Sequence, residues 1–113
     1  MAGWADVVAA AAALPETEEG TWYRTPALKV RGRSFCRLKE DGETLVVRVV
    51  DLEDKEALLR GDPDTYFTTP HYDGYPYVLV RLDRVKPGPL RELVEDAWRC
   101  MAPKKLLAAF DEG

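Results

Sequence analysis

Residues 64–82 constrain the fold of this 113-residue chain more than any other stretch. They hold four of the five tyrosines and the only histidine, and Pro70 and Pro76 bracket a Tyr-Asp-Gly turn within them. Turns normally carry small polar residues, so a turn this rich in aromatic side chains is unusual. Residues 66–69 and 77–82, on either side, have the composition of strands. The stretch therefore predicts two antiparallel strands joined by an ordered loop.

The loop and the second of these strands make two further predictions. Asp73-Gly74 favours a turn whose second position is left-handed, so Gly74 is expected at positive φ. Because side chains alternate along a strand, its residues should divide between two faces. The two sets are Tyr77, Leu79 and Arg81 on one face, and Val78, Val80 and Leu82 on the other.

A second hairpin is indicated by the dipeptide Asp41-Gly42. Asp-Gly is favoured in two-residue type I′ turns, which need positive φ at both central positions. The register that follows pairs Leu38 with Leu45 and Cys36 with Val47, and places Arg37, Val46 and Arg48 on the opposite face. Phe35 then falls on the basic face. A β-bulge near the Gly32 turn would resolve this conflict.

The remaining elements follow from helical periodicity and from the prolines. Helices are predicted at residues 3–14, 51–60, 89–102 and 104–110, and further strands at residues 22–30 and 34–39. Asp54 is the expected N-cap of the second helix, with Leu58 and Leu59 facing inward. The acidic residues 16–20 are expected to form a solvated loop.

The order α-β-β-β-α-β-β-α-α predicts one α+β domain over residues 1–113. It would have two layers: an antiparallel sheet of about five strands, and helices mainly on one face.

Composition excludes several classes of protein. With 46% hydrophobic and 32% charged residues, the chain is typical of soluble globular proteins. Its longest apolar run, residues 7–14, is too short to span a bilayer and follows no basic segment, so neither a membrane anchor nor a signal peptide is expected. Cys36 and Cys100 form neither a disulfide framework nor a CxxC pair, which favours reduced thiols in a cytoplasmic protein. We expect no metal and no cofactor, since a lone histidine makes a poor zinc site.

The charge is unevenly distributed along the chain. The formal net charge is −4, yet residues 24–39 hold six Lys or Arg and no acid. The candidate contacts to DNA phosphates, as on a β-ribbon, are Arg31, Arg33, Arg37, Lys39 and Arg48. The alternative is a solvated sheet face on which cations alternate with apolar residues. Acids at 40, 41 and 43 would oppose DNA binding.

His71, Tyr72 and Tyr75 form a candidate ligand or partner surface, because aromatic side chains beside a rigid turn are typical of recognition sites. His71 next to Asp73 also resembles a general base with its carboxylate. No Ser or Cys nucleophile stands at a recognisable elbow, so no catalytic residue is expected and we predict that the protein is not an enzyme. The alternative is that the prolines and Gly74 set the turn and the tyrosines only cover the end of the sheet.

Several segments of the chain together resemble a known family. They are residues 14–19, 26–35, 68–76, 78–82, 90–98 and 102–105, and the run Thr-Pro-His-Tyr-Asp-Gly-Tyr-Pro is a fairly specific motif among them. With these residues the chain resembles the YjbR/MmcQ-like family of small bacterial proteins.

The resemblance implies a two-layer α/β domain similar to secretion chaperones. It also implies DNA binding by two β-hairpins that act as a pair of wings, and it supplies no catalytic residues. The chaperone-like fold offers a second hypothesis, a protein- or peptide-interaction domain. The oligomeric state is left open.

Overall fold

One antiparallel sheet of six strands organises the fold, in a computed structural model that describes residues 2–113. The strands are β1 (Thr17–Trp22), β2 (Thr25–Val30), β3 (Arg33–Leu38), β4 (Thr44–Arg48), β5 (Tyr66–Phe67) and β6 (Tyr77–Arg81). The helices are α1 (Trp4–Ala11), α2 (Leu52–Gly61), α3 (Pro87–Met101) and α4 (Lys104–Glu112). The strands lie in the order β1-β2-β3-β4-β6-β5, so the chain passes to the edge for β5 and returns to pair β6 with β4. The α+β class is confirmed, with one strand more than predicted.

Among residues 2–113, no helix is long and apolar enough to cross a membrane.

The additional strand is β1, which includes acidic residues that were predicted to be a loop. It pairs along its whole length with β2, from Thr17 opposite Val30 to Trp22 opposite Thr25. Its side chains are exposed or half-buried, as is common for an edge strand, where charged residues are tolerated. Composition alone therefore misassigned this segment.

Three turns join the first four strands, and the sequence predicted only part of their geometry. Residues 23 and 24 have φ of 53° and 65°, and residues 31 and 32 have φ of 50° and 80°, so both pairs have the double positive φ of a type I′ turn. At Asp41-Gly42 only Gly42 has positive φ, and its amide donates to the carbonyl of Lys39. The predicted type I′ turn at Asp41-Gly42 is therefore wrong.

The predicted register of β3 and β4 is nevertheless confirmed. Cys36 lies opposite Val47 and Leu38 opposite Leu45. The pairing of β2 with β3 shifts after Leu28, so that Phe35 is the extra residue of a β-bulge. This bulge resolves the expected conflict, since Phe35 is fully buried in the main core.

The main core fills one face of the sheet, beneath α1, α3 and α4. Trp98 of α3 is fully buried there, and its indole Nε1 donates to the carbonyl of Pro15 at 3.1 Å. The alternation predicted for β6 is confirmed, because Val78 and Val80 belong to this core whereas Tyr77 and Leu79 pack on the other side of the sheet. The helices thus lie mainly on one face, as predicted.

Helix α2 differs from its predicted form at two positions. Its N-cap is Asp51, whose carboxylate accepts a hydrogen bond from the amide of Asp54 at 2.8 Å, so the assignment of Asp54 as the cap is wrong. Leu58 and Leu59 pack against the core as expected, but the one fully buried residue of this helix is Lys55. Lys55 connects α2 to the site described next.

Candidate functional site

The sheet face that lacks the helices, here called the open face, carries an unusual set of side chains. Because paired residues of antiparallel strands share a face, the register places Trp22, Lys29 and Arg37 of the first three strands on it. Arg48 pairs with Tyr77, and both lie on the same face. The open face therefore carries both aromatic rings and cations.

The Pro-rich loop between β5 and β6, residues 68–76, folds back over part of the open face. Gly74 has φ of 82°, as predicted, and Tyr72 is only 6% exposed. The Tyr72 ring packs with Val46 and Leu79 in a small second core. The loop is thus an ordered element whose central tyrosine is anchored on the sheet.

Lys55 holds the loop from the side of α2. Its Nζ donates to the carbonyl oxygens of Tyr72 at 2.6 Å and Tyr75 at 3.0 Å. Burial lowers the pKa of Lys55, an effect that the nearby charge of Asp73 opposes. An ammonium group with two carbonyl acceptors fixes the loop backbone where the aromatic side chains project.

Arg37 lies beneath the same region and is 5% exposed. Its guanidinium donates from Nη2 to Tyr72 Oη at 2.9 Å and from Nη1 to Thr25 Oγ1 at 3.3 Å. Its carboxylate partner is Glu40, a contact of 3.4 Å to an exposed side chain. Among the described residues its buried Nε has no hydrogen-bond partner. Arg37 is therefore a buried cation with incomplete compensation.

A cavity of about 340 Å³ opens between the β1–β2 turn and the loop. All the residues that line it are aromatic: Trp22, Tyr23, His71, Tyr72, Tyr75 and Tyr77. The Trp22 ring stacks on Tyr23 with centroids 5.2 Å apart and lies 6.1 Å from Tyr77, which is itself 6.1 Å from Tyr72. The rings form one continuous wall.

Two arginines lie over rings of this wall. The guanidinium carbon of Arg37 lies 5.1 Å from the centroid of Tyr23, and that of Arg48 lies 5.9 Å from the centroid of Tyr77. Both distances fall within the range of cation–π attraction. The aromatic wall therefore lies in a positive local environment although the chain as a whole is acidic.

The five predicted phosphate contacts do not form one surface. Arg31 and Arg33 are exposed at the β2–β3 turn, and Arg31 forms a two-bond ion pair with Glu16 at 2.8 and 3.0 Å. Lys39 follows the opposite end of β3, about 20 Å from Arg33 at the usual rise per residue of a strand. Arg37 is buried rather than exposed. Of the five, Arg37 and Arg48 lie beside the aromatic wall.

The predicted ligand surface is brought together in part. His71 and Tyr75 are exposed and Tyr72 is buried, yet all three line the cavity. The Asp73 carboxylate accepts a hydrogen bond from Thr68 Oγ1 at 3.1 Å, while the His71 ring meets Tyr72 edge-on at 4.8 Å.

Burial raises the pKa of the Cys36 thiol to about 12, so it is protonated at neutral pH.

Sequence reasoning missed the other half of the cavity. From its sequence Trp22 is expected in the core or at its edge; in the structure it is half-buried and lies on the open face beside Tyr23. The available signal was the aromatic pair Trp22-Tyr23 in an otherwise polar segment. Its meaning depended on the tertiary arrangement, which places the Trp22 ring 6.1 Å from the Tyr77 ring although their strands do not pair.

Comparison with known proteins gives a consistent family match. The family model described as YjbR matches residues 12–100. Uncharacterised proteins of Mycobacterium bovis and Mycobacterium tuberculosis are 39% identical to this chain, over 97% of its length and 96% of theirs.

A solved structure matches the fold. The crystal structure of a Deinococcus radiodurans protein with a DUF419 domain superposes with a TM-score of 0.77, covering 93% of this chain and 82% of that one. At 24% identity this similarity concerns the fold alone.

Proposed function

Because this chain belongs to the YjbR family and carries an aromatic wall flanked by cations, we propose that it is a non-enzymatic module that binds single-stranded DNA on its open face. The observation that carries the proposal is the wall itself, Tyr23, Trp22, Tyr77 and Tyr72, with Arg37 and Arg48 against two of its rings. Proteins that bind single strands combine aromatic stacking surfaces with a basic groove along the backbone. The open face has the aromatic surface, with Arg37 and Arg48 beside it.

The charge distribution supports this face as the contact surface. The open face carries Lys29, Arg37 and Arg48, and the exposed Arg24 stands at its rim in the β1–β2 turn. Of the acids, Glu18 lies on the same face opposite Lys29, and Glu40 contacts Arg37. The cations near the aromatic rings, Arg24, Arg37 and Arg48, would attract a polyanion to this side of an acidic molecule.

Duplex recognition by the hairpin tips has less support. At the β2–β3 tip, Arg31 is neutralised by Glu16. At the β3–β4 tip, Glu40, Asp41 and Glu43 are exposed, and they would repel phosphates. The proposal therefore replaces the pair of wings with the sheet surface between them.

A second candidate function is peptide binding by strand addition. Strand β1 pairs with β2 and forms one edge of the described sheet, and an extended peptide can add to such an edge. Glu18 and Glu19 on this strand would favour a basic peptide.

The test is fluorescence anisotropy with a labelled oligothymidine of about 15 nucleotides at about 50 mM salt. Three double variants make the same change in net charge: Arg24→Glu with Lys29→Glu on the open face, Arg31→Glu with Arg33→Glu at the hairpin tip, and Lys104→Glu with Lys105→Glu on α4. We expect the open-face variant to lose about tenfold or more in affinity and the other two to lose little. Absence of binding by the native chain, or equal losses in all three variants, refutes the proposal.

A further inference from the structure

The six-aromatic cavity is small, lined by rings, open to solvent on one side and located within the open face. Its volume of about 340 Å³ is near the lower end of the range for ligand pockets, roughly 300–1,000 Å³. Such a cavity fits one planar ring system better than an extended chain. Its ligand therefore has to be a compact group.

The cavity walls are fixed before any ligand binds. Trp22 lies on β1, which pairs with β2, and Tyr77 lies on β6, which pairs with β4. Tyr72 is anchored by Arg37 Nη2. The loop that carries Tyr75 is held by Lys55 Nζ. Tyr23 sits in the β1–β2 turn at a φ of 53° and stacks on Trp22. Binding of a ligand therefore has to order little of the cavity wall.

Two classes of ligand suit a cavity made only of aromatic rings. A quaternary ammonium group binds to ring faces by cation–π attraction, and a planar heterocycle stacks on them. Here Arg37 and Arg48 already lie against Tyr23 and Tyr77. A second cation would be repelled by these two, so the geometry favours the planar ring.

The surroundings of Arg37 further indicate which chemical group the planar ring of the ligand carries. Arg37 is 5% exposed, and among residues 2–113 its Nε has no hydrogen-bond partner. Its charge is opposed by a single long contact to an exposed carboxylate. A negative charge near the cavity would complete this compensation, and a phosphate attached to the heterocycle supplies it.

We propose that this cavity binds a single unpaired nucleobase of a DNA strand, stacked against Trp22 and Tyr77, with its phosphate on the side where Arg37 lies against Tyr23 and Arg24 is exposed. This inference deepens the function proposed above and rests on it. The same chemistry, a heterocycle with a phosphate, is present in a free mononucleotide, and the experiment separates these two sources.

The experiment compares three ligands: a labelled oligothymidine, a labelled abasic deoxyribose-phosphate strand of equal length, and thymidine monophosphate as a competitor. Stacking of one base on aromatic side chains is worth about 1–3 kcal/mol, so we expect the abasic strand to bind about tenfold more weakly. Tyr75→Ala removes a cavity ring that is 60% exposed, so the fold should tolerate it. We expect it to weaken oligothymidine binding about tenfold and to leave abasic binding unchanged. Leu52→Ala, at a 50% exposed position on α2, is the matched control.

The outcomes separate the two proposals. Equal affinity for both strands, with no effect of Tyr75→Ala, overturns the nucleobase cavity while leaving DNA binding by the open face intact. Failure of both strands to bind overturns the proposed function. If the mononucleotide binds as tightly as the oligomer, the cavity takes a free nucleotide and its assignment to a strand is wrong. Loss of affinity in both Tyr75→Ala and Leu52→Ala also overturns the cavity assignment.

Discussion

Replacing Lys55 with methionine should release the loop that forms half of the aromatic cavity. The ammonium group of Lys55 donates to two loop carbonyls, those of Tyr72 and Tyr75. Methionine preserves most of the apolar stem and removes the charge and the donors. The two carbonyls then lose their partner in a partly enclosed position.

The expected cost follows from two opposing contributions. A hydrogen bond to a charged group contributes about 1.5–3 kcal/mol, so the two bonds together give roughly 3–6 kcal/mol. Burial of the ammonium opposes this gain, since burial lowers the pKa of Lys55 and so disfavours its charged form. We expect a net loss of about 2 kcal/mol, which for a chain of this size corresponds to a fall in Tm of about 8 °C.

Thermal unfolding followed by circular dichroism measures this loss, with Lys105→Met on the exposed surface of α4 as the control. Hydrogen exchange gives a local readout, because the amide of Tyr75 donates to the carbonyl of Tyr72 within the loop. We expect this amide to exchange faster in Lys55→Met while the amides of β2 and β3 are unchanged. A variant as stable as the native chain, with unchanged exchange in the loop, would show that the two bonds do not outweigh the cost of burying the charge.

Three further predictions concern single positions. Arg24→Gly should raise stability by about 1 kcal/mol in urea unfolding, because Arg24 has φ of 65° and glycine adopts this conformation without strain; a destabilised variant would contradict this. Gly74→Val should lower stability by roughly 1 kcal/mol or more because valine resists positive φ; the added Cβ would meet no atom within 4 Å beyond its neighbours in the chain. His71→Ala should cost little, and thermal melts with the reverse ranking would contradict both expectations. Asp96→Asn should raise Tm at pH 7 but not near pH 3. Partial desolvation of this exposed side chain and the charges of Glu95 and Glu92 raise the pKa of Asp96, so its ionised form is disfavoured in the fold and the contribution of the protonated form is lost as pH rises; equal effects at both pH values would refute this.

The sequence determined the features that depend on neighbouring residues. Alternation along β6, the register of β3 with β4 and positive φ at Gly74 all follow from strand period and from what a glycine permits. The bulge at Phe35 could be inferred as well, because a large apolar side chain on the basic face is an energetic conflict that one extra residue removes. These features are local, so composition and spacing contain the information.

The tertiary structure decided the features that depend on partners far along the chain. Strand β1 forms because the outer edge of β2 presents backbone N–H and C=O groups that need partners. The acidic segment supplies these partners through its own backbone, whatever its side chains. Lys55 and Arg37 are buried because loop carbonyls and Tyr72 supply acceptors that cannot be located by reading either segment alone. The cavity joins residues 22 and 23 to residues 71–77, about fifty positions later, because the loop after β5 folds back over the open face and is tied there to Arg37 through Tyr72. Long-range strand pairing and the packing of this loop, which side-chain patterns specify only weakly, together assembled the site.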